Sequence, residues 1–238
     1  MVAGALSTCG YFMGDNLYEA RASNPKGFFE SPEINGINEE LLACVLPRRP
    51  PLIGRWCYRD RPAWGQRWLA RVPAGTTITA NPRCLRRIQA ALASEPYCFK
   101  DPRFCYTLGA WRSAMPKTVF VCVFRHPAAT ARSILKECRD MPYLRSLQMD
   151  FDIALEVWRL MYEHVLRNHV RTGEWTFVHY EQMIDGSAVS RLEKHLDARI
   201  DRGFADASLR RSEADSNVPS EIRRLYQELC ERAEFAGS

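Results

Sequence analysis

Lys117 to Leu135 reads KTVFVCVFRHPAATARSIL. Thr118 to Phe124 is a near-continuous apolar run, rich in valine and aromatics and too short for a helix that must repay its nucleation. It predicts a strand buried on both faces. Arg125 and His126 end the run abruptly. Pro127 then opens a helix, because its fixed φ suits the first helical position and its missing N–H is not needed there. Strand, charged corner and helix is how α/β proteins build anion sites at the carboxyl edge of a parallel sheet. Ser133 falls about two turns into that helix, so a phosphate held there can touch both the Arg125 guanidinium and the Ser133 hydroxyl. An ordinary βα corner with Arg125 in solvent is the competing reading of these residues taken alone.

The rest of the chain alternates in the same way. Ile34, Ile37, Leu41, Leu42 and Val45 recur at helical spacing and predict an amphipathic helix over Pro32–Leu46. The run Pro47-Arg48-Arg49-Pro50-Pro51 then breaks the chain as a rigid surface connector. Helices are predicted over residues 1–9, Cys84–Ala93, Asp152–Val170, Val189–Leu196 and Pro219–Phe235, with short helices around Trp56, Trp64 and Trp68. Tyr97–Lys100 reads as a short strand and Thr176–Tyr180 as a buried one, with loop from Tyr11 to Ser31. Strands alternating with helices imply an α/β fold, a parallel sheet flanked by helices, in one domain over residues 1–238.

Three further segments surround the strand–helix unit in chain order: Asn24-Pro25-Lys26-Gly27-Phe28-Phe29-Glu30-Ser31, Phe99-Lys100-Asp101-Pro102-Arg103 and Val178-His179-Tyr180-Glu181. Together with Phe124-Arg125-His126-Pro127 through Ser133, they resemble the sulfotransferase family, most closely its bacterial branch, over about residues 1–215. The resemblance implies a P-loop-like architecture and 3′-phosphoadenosine 5′-phosphosulfate (PAPS) as sulfuryl donor, with no metal. Members carry a loop of the type Arg/Lys-Ser-Gly-Thr between the first strand and first helix. This chain begins Met1-Val2-Ala3-Gly4-Ala5-Leu6-Ser7, which reads as the helix after that loop, and holds no G-x-x-x-x-G-K-[ST] segment. The expectation is therefore a fold lacking its first strand and 5′-phosphate loop.

Carried over residue by residue, the resemblance makes Glu30 the base that takes the acceptor's proton, with aromatic neighbours raising its pKa. Lys100 stabilises the departing phosphate oxygen, and Arg103 either adds charge to that pocket or pairs with Asp101. Asp101 shapes the turn before Pro102. Arg125 and Ser133 form the 3′-phosphate pair and Tyr180 meets the adenine. Arg210 and Arg211 fall where members place a basic loop over the 3′-phosphate. Each has a plain structural alternative: Glu30 supporting the next helix N-terminus, Lys100 paired with Asp101, Tyr180 in the core, Arg210 and Arg211 in solvent.

Composition agrees with this and narrows it. Hydrophobic residues make up 46% and aromatics 11% of 238 residues, which excludes a disordered chain and suits one α/β domain. A net charge of +5 is mildly basic and favours a polyanionic partner. Only five lysines occur, and two of them, Lys26 and Lys100, fall inside the motifs. Nine cysteines with no C-x-x-C pair, and no H-E-x-x-H, argue against a metal site. No signal sequence or membrane-length apolar run appears, so the expectation is a reduced cytoplasmic protein without stable membrane insertion. The arginines are dispersed without aromatic–basic interleaving, which argues against nucleic acid, and no Walker-type lysine loop supports a kinase. Two readings remain: sulfuryl transfer to a hydroxyl of a small-molecule, carbohydrate or lipid acceptor, or a non-catalytic nucleotide-binding or scaffold protein of the same fold.

Overall fold

β1 (Val119–Phe124) and β2 (Glu174–His179) pair in parallel, Val119 opposite Glu174 and Phe124 opposite His179. The computed structural model describes residues 1–21, 24–115, 117–205 and 218–236, and among them these strands form a two-stranded sheet. Parallel neighbours require a crossover. Here it runs through α6 (Pro127–Asp140) and α7 (Phe151–His164). Pro127 sits in the first turn of α6, as the sequence predicts.

Burial along β1 alternates. Phe120, Cys122 and Phe124 are buried while Val123 is 38% exposed, so the expectation of a strand covered on both faces is corrected. Helices cover one face closely, and period-two burial follows from the pleat. On that face α6, α7 and α10 (Ser220–Arg232) pack Ala128, Ala131, Val157, Trp158, Ile222 and Leu229 against Phe124 and Phe177. A second cluster joins α2 (Pro32–Ala43), α4 (Pro82–Ala91) and α5 (Phe104–Trp111) through Ile34, Ile37, Ile88, Tyr106 and Trp111. α2 is three residues shorter than its periodicity predicts, and α5 gives no comparable sequence signal because it is apolar nearly all round.

A third cluster sets α1 (Val2–Ala5) and α9 (Val189–Leu196) against Val178 of β2. The helix predicted over residues 1–9 is one turn followed by turns, since Gly4, Ser7, Thr8 and Gly10 supply little helix propensity. Gly4 is there for contact: a Cβ at this position meets the Phe204 ring at 2.1 Å.

The strand predicted at Tyr97–Lys100 reduces to one parallel bridge, Phe12 with Tyr97. Its position still matters. The Tyr97 hydroxyl bonds Thr118 just before β1, and Cys98 and Val121 pack into the same cluster. The segment therefore runs beside β1 and delivers Lys100 toward the carboxyl edge. The long helix predicted over Asp152–Val170 ends in a π-helical turn at Val165–His169. His164 and His169 are buried and bond backbone carbonyls, His164 Nε2 lying 2.8 Å from the Pro73 oxygen and His169 Nε2 3.0 Å from that of Cys105. Both belong to the core.

Candidate active site

The strand register builds the first half of the site. Phe124 lies opposite His179, so the next residue of each strand, Arg125 and Tyr180, also fall side by side. The Arg125 guanidinium carbon stands 4.6 Å from the centre of the Tyr180 ring, a cation–π contact that holds a half-buried charge at the sheet edge. Trp158 Nε1 of α7 donates to the Arg125 carbonyl at 3.1 Å and fixes the corner.

Tyr180 is not the strand end its motif suggests. It opens α8 (Tyr180–Ile184), because the His179 ring accepts from the Glu181 N–H while Gln182 accepts from the His179 N–H, a reciprocal cap. Ser133 is exposed on α6, six residues past Pro127 and so ~9 Å along the axis. Arg210 and Arg211 lie outside the described residues.

Sequence reasoning missed the ring cluster behind Arg125. Tyr226 of α10 places its hydroxyl 3.2 Å from His179 Nε2, and its ring 5.0 Å from that of His126. Phe235 stacks on the His179 ring at 3.9 Å. The signal was present, since Tyr226 lies on the apolar stripe of α10, but periodicity cannot say what the stripe covers. Burial, then His126 and Arg125, push the His179 pKa from 6.5 down to about 4. The unfolded chain thus binds a proton near 6.5 and the folded chain only near 4, so stability is lost as pH falls through that window. Buried His169, also lowered to about 4, acts in the same direction. Calorimetric melts are expected to show a falling midpoint between those pH values, with a shallower fall in His179→Gln; an unaltered slope in the variant removes His179 from the linkage.

The second half of the site is Glu30 with Lys100. The Lys100 ammonium contacts Glu30 Oε1, and Asn35 Nδ2 of α2 donates to Glu30 Oε2 at 2.9 Å. Glu30 is buried, whereas the Lys100 side chain is 43% exposed, so the pair opens to solvent on the lysine side. The backbone before Glu30 is strained. Phe29 has φ 54, a left-handed conformation that costs a non-glycine residue about 1–3 kcal/mol. Gly14, at φ 119, lets the Tyr11–Ser31 loop pass Ser31, whose Cβ lies 2.5 Å from where a Gly14 Cβ would sit. Ser31 in turn caps α2 by accepting from the Glu33 N–H at 3.3 Å. Two structures thus converge on Glu30, the strained loop from one side and the cap of α2 from the other.

Asn35 was not singled out in the sequence, and it carries a second feature. Its Oδ1 is buried with no hydrogen-bond partner among the described residues. An unmet buried acceptor costs ~1–3 kcal/mol, and here it lies on the amide that orients Glu30.

Arg103 requires correction. As a cofactor contact it should face the pocket, but its side chain is only 5% exposed. Its Nε donates to Glu39 Oε1 at 2.8 Å and its Nη1 to Asp101 Oδ1 at 2.9 Å. Asp101 Oδ1 also accepts from the Arg103 N–H at 2.9 Å, the Asx turn expected before Pro102, and its Oδ2 accepts from Asn38 at 2.9 Å. Asn38 Oδ1 takes the Thr107 hydroxyl at 2.8 Å and the Trp111 indole at 2.9 Å. This network ties α2 and α5 to the residue following Lys100. Arg103 holds the segment that presents Lys100, with its Nε and Nη1 both taken by buried carboxylates.

The structure thus brings Arg125 to Tyr180 and Glu30 to Lys100. A model of the sulfotransferase family matches residues 53–202, more than half of the chain. The chain belongs to the sulfotransferase family. The match contains Lys100, Arg103, Arg125, Ser133 and Tyr180, while Glu30 precedes it. No curated protein and no solved structure matches the chain. Among the described residues no helix is long and apolar enough to cross a membrane, and no group of His, Cys, Asp and Glu side chains is placed to hold a metal ion.

Proposed function

We propose that the chain transfers a sulfuryl group from 3′-phosphoadenosine 5′-phosphosulfate to a hydroxyl of a small-molecule, carbohydrate or lipid acceptor, within a single domain. The observation that carries this reading is the Glu30–Lys100 pair, a buried carboxylate oriented by Asn35 against a partly exposed ammonium. Sulfuryl transfer needs those two parts and little else from a protein: a base for the acceptor proton, and positive charge where negative charge gathers on the leaving oxygen. The donor supplies an activated sulfuryl group and a phosphate leaving group. Glu30 takes the hydroxyl proton as the acceptor oxygen bonds to sulfur. Lys100, released from Glu30 as that carboxylate is neutralised, balances the charge on the departing phosphate oxygen.

The residues at the other strand ends fit the nucleotide. Arg125 offers a guanidinium for the 3′-phosphate, with the Ser133 hydroxyl on the helix that follows it, and Tyr180 offers an aromatic face for the base. Titration with 3′-phosphoadenosine 5′-phosphate tests this half separately. Binding is expected and should raise stability by ~2.7 kcal/mol at a hundredfold excess over Kd. Arg125→Ala is expected to abolish most of it, and equal affinity in the variant removes Arg125 from the site. Lys100→Ala is expected to keep nucleotide affinity and to lower kcat by roughly 10²–10³. Nucleotide binding without turnover on any hydroxyl acceptor would support the non-catalytic reading instead.

A further inference from the structure

Residues 47–68 form a surface that takes no part in the Glu30–Lys100 and Arg125–Tyr180 contacts. Leu52 is 83% exposed, Ile53 49%, Trp56 65% and Trp64 61%, although large apolar side chains ordinarily seek cover. Leu52, Ile53 and Trp56 sit on and just before α3 (Gly54–Cys57), so their exposed surfaces adjoin. The same segment holds six arginines against the single carboxylate Asp60, as much net positive charge as the whole chain carries. Arg48, Arg55 and Arg59 are exposed, and the Arg55 guanidinium lies 4.1 Å from the Trp56 ring centre.

The loop is held at its base. Arg49 donates to the Arg61 carbonyl at 3.2 Å, to Gln66 Oε1 at 2.9 Å and to the Ser146 carbonyl at 2.8 Å, and Arg61 donates back to the Arg48 carbonyl at 3.0 Å. Gly54 packs against the Arg49 stem, where a Cβ would meet Cγ at 2.6 Å. Arg67, at the far end, pairs with Glu39 at 3.0 Å, the carboxylate that also takes Arg103. The apolar tip is thus presented on a fixed scaffold that connects to the network beneath Lys100.

We propose that this segment docks the protein on anionic lipid bilayers, with Leu52, Ile53 and Trp56 entering the headgroup layer and Arg48, Arg55 and Arg59 on the lipid phosphates. The charge complements an anionic surface, and aliphatic groups beside an interfacial tryptophan match the boundary between headgroups and acyl chains. A polyanionic chain in water would engage the arginines but leave Leu52 and Ile53 exposed, which favours the bilayer. The docking needs neither nucleotide nor turnover, so it stands apart from the transfer reading.

Co-sedimentation with phosphatidylcholine–phosphatidylglycerol vesicles, against phosphatidylcholine alone, tests it. The chain is expected to pellet with the anionic vesicles only, less so at high salt. The Leu52→Ser, Ile53→Ser, Trp56→Ser variant is expected to bind more than about tenfold more weakly. The Arg48→Ser, Arg55→Ser, Arg59→Ser variant is expected to lose roughly a hundredfold. All six side chains are exposed, and matching thermal melts verify that each variant folds. No pelleting by the wild type overturns the proposal, as does equal pelleting of both variants with the wild type. Retention on an acidic polysaccharide without vesicle binding, or a dimer that only the serine variants dissociate, overturns it in favour of that occupant.

Discussion

Glu30→Gln is expected to lower turnover by roughly 10²–10⁴ while leaving affinity for 3′-phosphoadenosine 5′-phosphate unchanged. The substitution keeps the shape of the side chain and removes its capacity to hold a proton. A glutamine oxygen can still accept from Asn35 Nδ2, so the anchor on α2 survives. Its amide nitrogen then faces the Lys100 ammonium, donor against donor, and the lysine, 43% exposed, swings toward water at little cost. Nucleotide affinity is the control, because Arg125 and Tyr180 rest on β1, α7 and β2 rather than on the Glu30 loop. Turnover equal to the wild type with any accepted hydroxyl removes Glu30 from the chemistry. A parallel fall in affinity and stability would instead identify the Glu30–Lys100 pair as a structural clamp. Restoration of turnover by raising pH cannot occur in the glutamine variant, since the lost group no longer titrates.

The second large effect is on stability. Arg103→Ala is expected to destabilise the fold by about 3–5 kcal/mol, because it strands buried carboxylates rather than merely losing a bond. The Asp101 side chain is fully buried and that of Glu39 is 2% exposed. Glu39 keeps Arg67 Nη1 at 3.0 Å and the Arg67 N–H at 3.2 Å, but Asp101 retains only neutral donors, Asn38 and the backbone N–H of residue 103. For a chain of this length a loss of that size lowers the melting temperature by roughly 10 °C. Burial already pushes the Asp101 pKa up, with Arg103 opposing it. Without Arg103 the folded pKa rises further, so the variant loses stability as pH rises through that value and recovers at lower pH. Arg103→Ala combined with Asp101→Asn is expected to regain part of the loss, since the buried group is then neutral. A drop of less than about 1 kcal/mol in Arg103→Ala, with weakened nucleotide binding, would restore Arg103 to the phosphate site.

Much of the fold was legible because its signals are local. A seven-residue apolar run bounded by Arg125-His126-Pro127 admits one reading, and β1 and α6 begin within a residue of the positions it predicts. Val189–Leu196 and Pro32 as the start of α2 were equally clear, both from apolar residues at helical spacing. Tyr97–Lys100 was not, because a strand is defined by its partner, and here only Tyr97 finds one. The same holds for Tyr180: the residue belongs to a helix because His179 and Gln182 exchange hydrogen bonds with the backbone, a reciprocity no pattern announces.

The sequence by itself determined the chemistry on offer: a lysine and a carboxylate in two separate motifs, an arginine at a strand end, and a family that the match over residues 53–202 bears out. It also fixed the parallel α/β alternation, since strand and helix periodicities depend on neighbours two to four residues apart. Only the tertiary structure decided which charges meet. Glu30 and Lys100 are seventy residues apart in the chain and in contact in space, while Arg103, three residues beyond Lys100, turns inward to Asp101 and Glu39. The reason is desolvation. A buried charge must find its opposite wherever packing places one, and that choice depends on which helices close over it rather than on the residues beside it in the chain.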